Sequence, residues 1–195
     1  GLATHDAAAQ QDYYEKLSAD PNKPLLNRGL VQTVPPGSTF KLVTSAAALE
    51  NGYQPDSVLP GPAAYQLPGS ARQLNNWSNA PCGPDGKTTL ANALAISCNS
   101  AFAYLGNQLG DDALRTQAEK FGFGTSFDVP MTAATSRFPE DPDDAQTAMS
   151  AIGQFDVAAT TLQMAMVTAS IANGGKTMYP YLVNQVLAPD LTVLS

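Results

Sequence analysis

Two short strings hold residues able to do nucleophilic chemistry without histidine. In Pro36-Gly37-Ser38-Thr39-Phe40-Lys41 a serine and a lysine stand three apart at the start of a helical stretch, so both side chains project from one face. A serine hydroxyl attacks a carbonyl poorly until a base takes its proton. Lysine is such a base when burial holds its pKa down, because desolvation disfavours the ammonium ion. The helix N-terminus adds backbone N–H groups suited to an oxyanion. The second string, Ser97-Cys98-Asn99, falls between two helical segments. Ser97 can relay a proton to or from Lys41 or a leaving group, and the Asn99 amide can hold a substrate carbonyl. Taken singly, each string has a plainer reading: a capped helix with a solvated lysine, and a polar turn between helices.

The flanking elements decide whether these strings can meet. Val34-Pro35-Pro36-Gly37 is a rigid stop, and STFKLVTSAAALE after it reads as a buried helix closed at Asn51-Gly52. The apolar residues of that helix place it in a core and would hold Ser38 and Lys41 rigidly. Ahead of it, Asp6 to Leu17 has helical composition and stops before Asp20-Pro21. From Tyr53 to Asp85 the chain is rich in Pro, Gly and Asn, with short strands expected around Tyr65 to Leu67 and Leu74 to Trp77. Helical signals return over Thr88 to Ile96 and Ser100 to Leu109, with Gly110 as a cap. A further helix opens at Asp111-Asp112, where acids suit the positive end of the dipole, and ends at Phe121-Gly122. Pro130 to Asp144 reads as loop, and Thr160 to Ala172 as a last apolar helix closed by Asn173-Gly174-Gly175. The tail alternates like a strand pair turning at Pro189-Asp190. These readings give about six helices and little strand.

Composition removes several classes of function. With 195 residues the chain suffices for one domain with a sizeable core, and 17 acids against 10 bases give a net charge of −7. Such a balance offers no footprint for nucleic acid or an anionic membrane surface. No apolar run approaches the roughly 18 residues of a spanning helix, and no secretory signal opens the chain. The single histidine, His5, fits a surface or capping role and has no second histidine to join it in a metal site or triad. Two cysteines are too few for a zinc site of cysteines alone, so neither a metal nor a cofactor is expected. Gly86-Lys87-Thr88-Thr89 looks like the end of a phosphate-binding loop, but Pro81 stands where that loop needs a glycine and no apolar strand leads into it. Thr88 or Thr89 is instead read as a helix cap.

An S-x-x-K followed by an S-x-N resembles the penicillin-binding proteins and serine β-lactamases. The flanks make the likeness specific. Val34-Pro35-Pro36-Gly37-Ser38-Thr39-Phe40-Lys41 is similar to the family's P-G-S-[TV]-[FM]-K. Gly153-Gln154 with Leu162-Gln163-Met164-Ala165 resembles its G-Q-x-x-x-x-[ST]-P-L-Q-M-A, with Thr161 in place of the proline. Ile171-Ala172-Asn173-Gly174-Gly175, then Pro180 and Leu182-Val183, matches the segment after it. The matches run in order along nearly the whole chain and look most like a class B enzyme. The resemblance implies an α+β transpeptidase fold over residues 1–195, here mostly its helical part with some sheet strands missing. It also implies D,D-transpeptidation of peptidoglycan stem peptides and acylation by β-lactams. Ser38 would be the nucleophile, Lys41 the base, Ser97 the proton relay and Asn99 the substrate anchor. Glycosyltransferase or division proteins would be further partners, at the extracytoplasmic face of a bacterial membrane with the anchor outside this chain.

One departure stands out. The family's third motif, K-T-G, is expected on a strand after the last segment here. Lys176-Thr177-Met178 comes too early, lacks the glycine, and reads as loop. In an extracytoplasmic protein Cys82 and Cys98 are favoured to form a disulfide fixing the Ser97-Asn99 turn, the alternative being two buried thiols. A β-lactam sensor and a silent cell-wall scaffold are the rival readings. The class A β-lactamases deacylate with a downstream glutamate and an asparagine four residues on; Glu119 and Glu140 lack that asparagine. Slow deacylation is therefore expected, and rapid steady-state hydrolysis of nitrocefin would contradict it.

Overall fold

The computed structural model describes residues 3, 5–127, 129 and 131–194. Its helices are α1 (Ala7–Ala19), α2 (Arg28–Val31), α3 (Lys41–Glu50), α4 (Leu90–Ala95), α5 (Asn99–Leu109), α6 (Asp111–Lys120), α7 (Asp144–Ser150) and α8 (Thr161–Ala172). A 3-10 turn, Gly37–Phe40, runs directly into α3. Among the described residues there are three antiparallel strand pairs, two joining distant stretches and one a local hairpin. β1 (Thr33–Val34) pairs with β6 (Ala159–Thr160), β2 (Val58–Pro60) with β5 (Lys87–Thr89), and β3 (Ala64–Gln66) with β4 (Gln73–Asn75).

Helix α3 lies between two apolar clusters. On one side Phe40, Val43 and Ala47 pack with Leu114, Phe121, Phe123, Phe138 and Val167. On the other, Ala48 packs with Leu59, Leu90, Phe102, Leu105 and Ile152. An element with two packed sides carries apolar or small residues on both, which is why its sequence reads as a buried helix. Small residues bring the helices close. At Gly106 of α5 an added Cβ would stand 2.4 Å from the Ala151 Cβ, just past the end of α7.

Capping follows the sequence. Asp6 accepts from the Ala8 and Ala9 N–H groups, Thr89 from Asn92 N and Thr160 from Gln163 N. Thr88 belongs to β5, so α4 begins two residues after the expected start. His5 is exposed beside the α1 cap. The expected loop over 130–144 holds except at its end; Pro130 lies outside the described residues. Asp143 and Gln146 form a capping box that opens α7, a helix the sequence reading did not contain. Helix α2 was likewise not expected. The tail turn at Pro189-Asp190 is present, but among the described residues it carries an isolated bridge, Leu187 to Val193, in place of a strand pair. Among the described residues no helix is long and apolar enough to cross a membrane.

The α5–Ala151 contact gives a clear expectation. Gly106→Ala gains about 1 kcal/mol of helix propensity but overpacks the interface, at about 1–3 kcal/mol. The Tm should fall by a few degrees on a thermal melt, whereas propensity alone would raise it.

Candidate active site

Backbone geometry presents Ser38. Pro35 and Pro36 stiffen the approach, and Gly37 turns the chain at φ +56°. Its N–H donates to Gly153 O at 2.9 Å. Gly153 itself sits at φ +69°, and a Cβ there would lie 2.2 Å from Gly37 O and 2.8 Å from the Phe40 Cβ. No side chain fits that contact. The Thr39 hydroxyl closes the turn by donating to Pro36 O at 2.7 Å. Phe40, fully buried, anchors the turn between Phe123, edge-on at 5.6 Å, and Phe138, stacked at 6.0 Å. Ser38 is left exposed on the 3-10 turn, whose i, i+3 side chains eclipse, so its side chain and that of Lys41 share a face.

Lys41 has no solvent exposure. Its Nζ donates to Ser97 O at 2.9 Å, Ser97 Oγ at 3.0 Å and Asn99 Oδ1 at 2.7 Å, and lies 5.5 Å from the centre of the Phe102 ring. All three acceptors are uncharged. Burial, with no carboxylate to offset it, lowers the Lys41 pKa from 10.5 to about 8. The free-base fraction at pH 7 rises accordingly, from roughly one in three thousand to about one in ten. The free amine keeps two donors and offers a lone pair that can accept a proton from a serine hydroxyl.

The Ser97 turn is held from several directions. Ser97 adopts φ +58°, an uncommon conformation for serine, with its N–H on Leu94 O at 3.1 Å. Cys98 is joined to Cys82 by a disulfide, as favoured from the sequence, with the two Cα atoms 6.0 Å apart. A bridge spanning 16 residues contributes about 3 kcal/mol in the chain-entropy model. It grips the residue between the two that hold Lys41. Asn99 directs Oδ1 to Lys41 and one N–H to Asn75 O at 3.1 Å, leaving its second N–H for a ligand.

Of the four expected site residues, Lys41, Ser97 and Asn99 are in direct contact, and Ser38 stands one turn ahead of Lys41. Among the described residues its hydroxyl has no hydrogen-bond partner. The sequence reading missed the supporting roles of Gly153, Phe102 and Asn75. Only Gly153 carried a signal, in the quoted Gly153-Gln154 pair. Lys176-Thr177 is loop, as expected; Thr177 accepts from Ser170 and lies near Glu50, at the far end of α3 from Lys41. Glu119 and Glu140 are exposed and touch none of the four. The string from Gly86 to Thr89 is no phosphate loop either: it enters β5, and the Thr88 hydroxyl accepts from Asn92 at 2.8 Å.

A serine exposed on a helix-opening turn, a buried lysine behind it and an S-x-N turn closing on that lysine thus form one cluster. The penicillin binding protein transpeptidase domain matches residues 3–193, and this chain belongs to that family. More particularly, it is similar to peptidoglycan D,D-transpeptidase PbpA of Mycolicibacterium smegmatis, 48% identical over 195 residues, covering all of this chain and 40% of that protein. The imipenem acyl-enzyme complex of penicillin-binding protein A from M. tuberculosis superposes with a TM-score of 0.91 at 44% identity, over 100% of this chain and 45% of that one. The D,D-transpeptidase domain of a peptidoglycan glycosyltransferase from Eggerthella lenta gives 0.82 at 32% identity, over 99% and 50%. The chain thus spans about 40% of the length of the curated relatives it matches.

The Lys41 environment predicts its titration. Its 13Cε resonance should move with a midpoint near pH 8, while exposed lysines titrate near 10.5. An unfolded chain keeps this proton to about 10.5, so the folded state gains stability as pH rises from 8 towards 10.5. A Lys41 midpoint above 10 would show that its amine is solvated.

Proposed function

We propose that this chain carries the acylation centre of a peptidoglycan D,D-transpeptidase. The observation that carries the proposal is a fully buried Lys41 held by Ser97 and Asn99, one turn behind an exposed Ser38. Lys41 as free base takes the Ser38 proton while Oγ attacks the carbonyl of the penultimate D-alanine in a stem peptide. The Ser38 backbone N–H, at the start of the turn, supports the oxyanion. Ser97 passes the proton from Lys41 to the departing nitrogen, and D-alanine leaves as the ester forms. Asn99 holds a carbonyl of the donor peptide with its free N–H. An amine of a neighbouring stem peptide then attacks the ester, gives up its proton through the same relay and regenerates Ser38.

A β-lactam enters as a mimic of the donor, and its opened ring stays on Ser38. Residues 3–193 match the family's transpeptidase domain, and the polypeptide that carries them is the transpeptidase of this reading. That polypeptide works at the outer face of the bacterial membrane. A glycan-polymerising enzyme is its natural partner, as a similar chain, 33% identical at a TM-score of 0.76, belongs to a peptidoglycan synthase complex that coordinates polymerization and crosslinking.

Intact-mass spectrometry of the natural polypeptide before and after penicillin tests the reading. One added drug mass that persists for many minutes, and is absent from Ser38→Ala, is the expected result. An unmodified wild type would count against the enzyme and favour a silent scaffold.

A further inference from the structure

Asn76, immediately after β4, has every polar group engaged. Its backbone N–H donates to Ala63 O at 3.1 Å and its C=O accepts from Asn79 N at 3.0 Å. Its side-chain Nδ2 donates to Pro62 O at 2.8 Å and Ala80 O at 2.9 Å, while Oδ1 accepts from Ser100 N at 3.0 Å. The residue is 3% exposed. Ser100 Oγ also donates to Pro62 O, at 2.7 Å, and the preceding carbonyl, Gly61 O, accepts from Cys82 N at 2.8 Å. One buried amide thus joins the Gly61–Ala63 strut, the Ala80 loop and the first turn of α5.

This junction lies directly behind the residues that hold Lys41. Asn75 O, one residue before Asn76, takes the Asn99 N–H, and Ser100 follows Asn99. Asn99 can turn either end of its amide towards Lys41. Only the carbonyl oxygen accepts from Nζ; the NH2 end would set donor against donor. Asn75 O selects the productive orientation, and Asn76 fixes where Asn75 O stands. Two facing carbonyls and one N–H call for a side chain with two donors and an acceptor and no charge. Asparagine meets that need, and glutamine is a methylene too long for a site this tightly bonded.

We propose that Asn76 is a positioning residue for acyl transfer, setting the Asn99 amide and thereby the dry, three-acceptor seat of Lys41. It touches neither Lys41 nor a substrate and acts only through Asn75, Asn99 and Ser100. The inference rests on the acyl-transfer reading of Ser38 and Lys41. Loosening the junction admits water to Lys41. The groups facing the amine are Ser97, Asn99 and the Phe102 ring, and no charged neighbour shifts its titration among the described residues. Hydration therefore returns the amine towards its ordinary range and depletes the free base at neutral pH.

The test measures the rate of acylation by a fluorescent penicillin from pH 6 to 10.5 on the natural polypeptide. Asn76→Ala removes the amide, and Asn76→Ser is a milder change that keeps an acceptor for Ser100 N. The disulfide keeps the turn tethered in both. Leu114→Ala, in the other apolar cluster, serves as a destabilised control matched by Tm. The expected result is acylation slowed about tenfold or more at pH 7 in Asn76→Ala, with an alkaline shift of the inflection and partial recovery at high pH. Asn76→Ser should fall between Asn76→Ala and wild type, and Leu114→Ala should keep the wild-type inflection. A wild-type profile in both Asn76 variants overturns the inference alone, as does a pH-independent loss equal to that of Leu114→Ala. If Asn76→Ala does not fold, Asn76→Ser decides by the same two criteria. No adduct on the wild type overturns the inference together with the acyl-transfer reading.

Discussion

A primary amine buried without a carboxylate is the constraint on which the rest of this structure depends. Taking an ammonium ion out of water is costly, and an acidic partner is the usual compensation. Such a partner would hold the proton on Lys41 and keep its pKa high. The fold supplies a backbone carbonyl, a hydroxyl and an amide oxygen instead, all uncharged, with an aromatic ring nearby. These orient the nitrogen while leaving its charge poorly compensated. The strained Ser97 backbone, the neighbouring disulfide and the Asn75–Asn76 junction all keep those three acceptors in place.

The same logic explains the placement of α3. A lysine remains dry only if its own turn of helix is packed, and the first turns of α3 lie between both apolar clusters. The opposite holds one turn earlier, where Ser38 is exposed to solvent. Phe40 reconciles the two. By fastening the end of the 3-10 turn among Phe123 and Phe138, it lets the chain pass from open to fully buried within three residues.

Much of this was legible in the sequence because local chemistry dictates it. The Pro-Pro-Gly stop, the apolar run after Ser38, the Asn-Gly cap and the acids opening α6 each act within a few residues, and each appears where expected. Helix α7 escaped notice: a proline- and acid-rich approach masked seven helical residues, although its Asp143–Gln146 capping box was open to view. The pairing of β2 with β5 and of β1 with β6 could not be read, because two- or three-residue strands have no period and their partners lie far off in sequence. At the site, type and spacing singled out Ser38, Lys41, Ser97 and Asn99 as candidates, and only the family resemblance assigned them roles. Asn75 contributes only a backbone carbonyl, which no residue type advertises. Phe102 looked like any other core aromatic.

The contacts that fasten the Ser38 turn and seat Lys41 in the fold are remote along the chain. Lys41 meets Ser97 and Asn99 across 56 and 58 residues, Thr44 meets Ala151 across 107, and the Gly37 turn closes on Gly153. Loop closures of this span form late, after local helices and hairpins have had time to appear. A nascent or half-collapsed chain therefore displays Ser38 as an ordinary alcohol beside a fully hydrated lysine. The three acceptors reach Lys41 only through long-range closures, so its dry seat belongs to the folded chain and to no local segment.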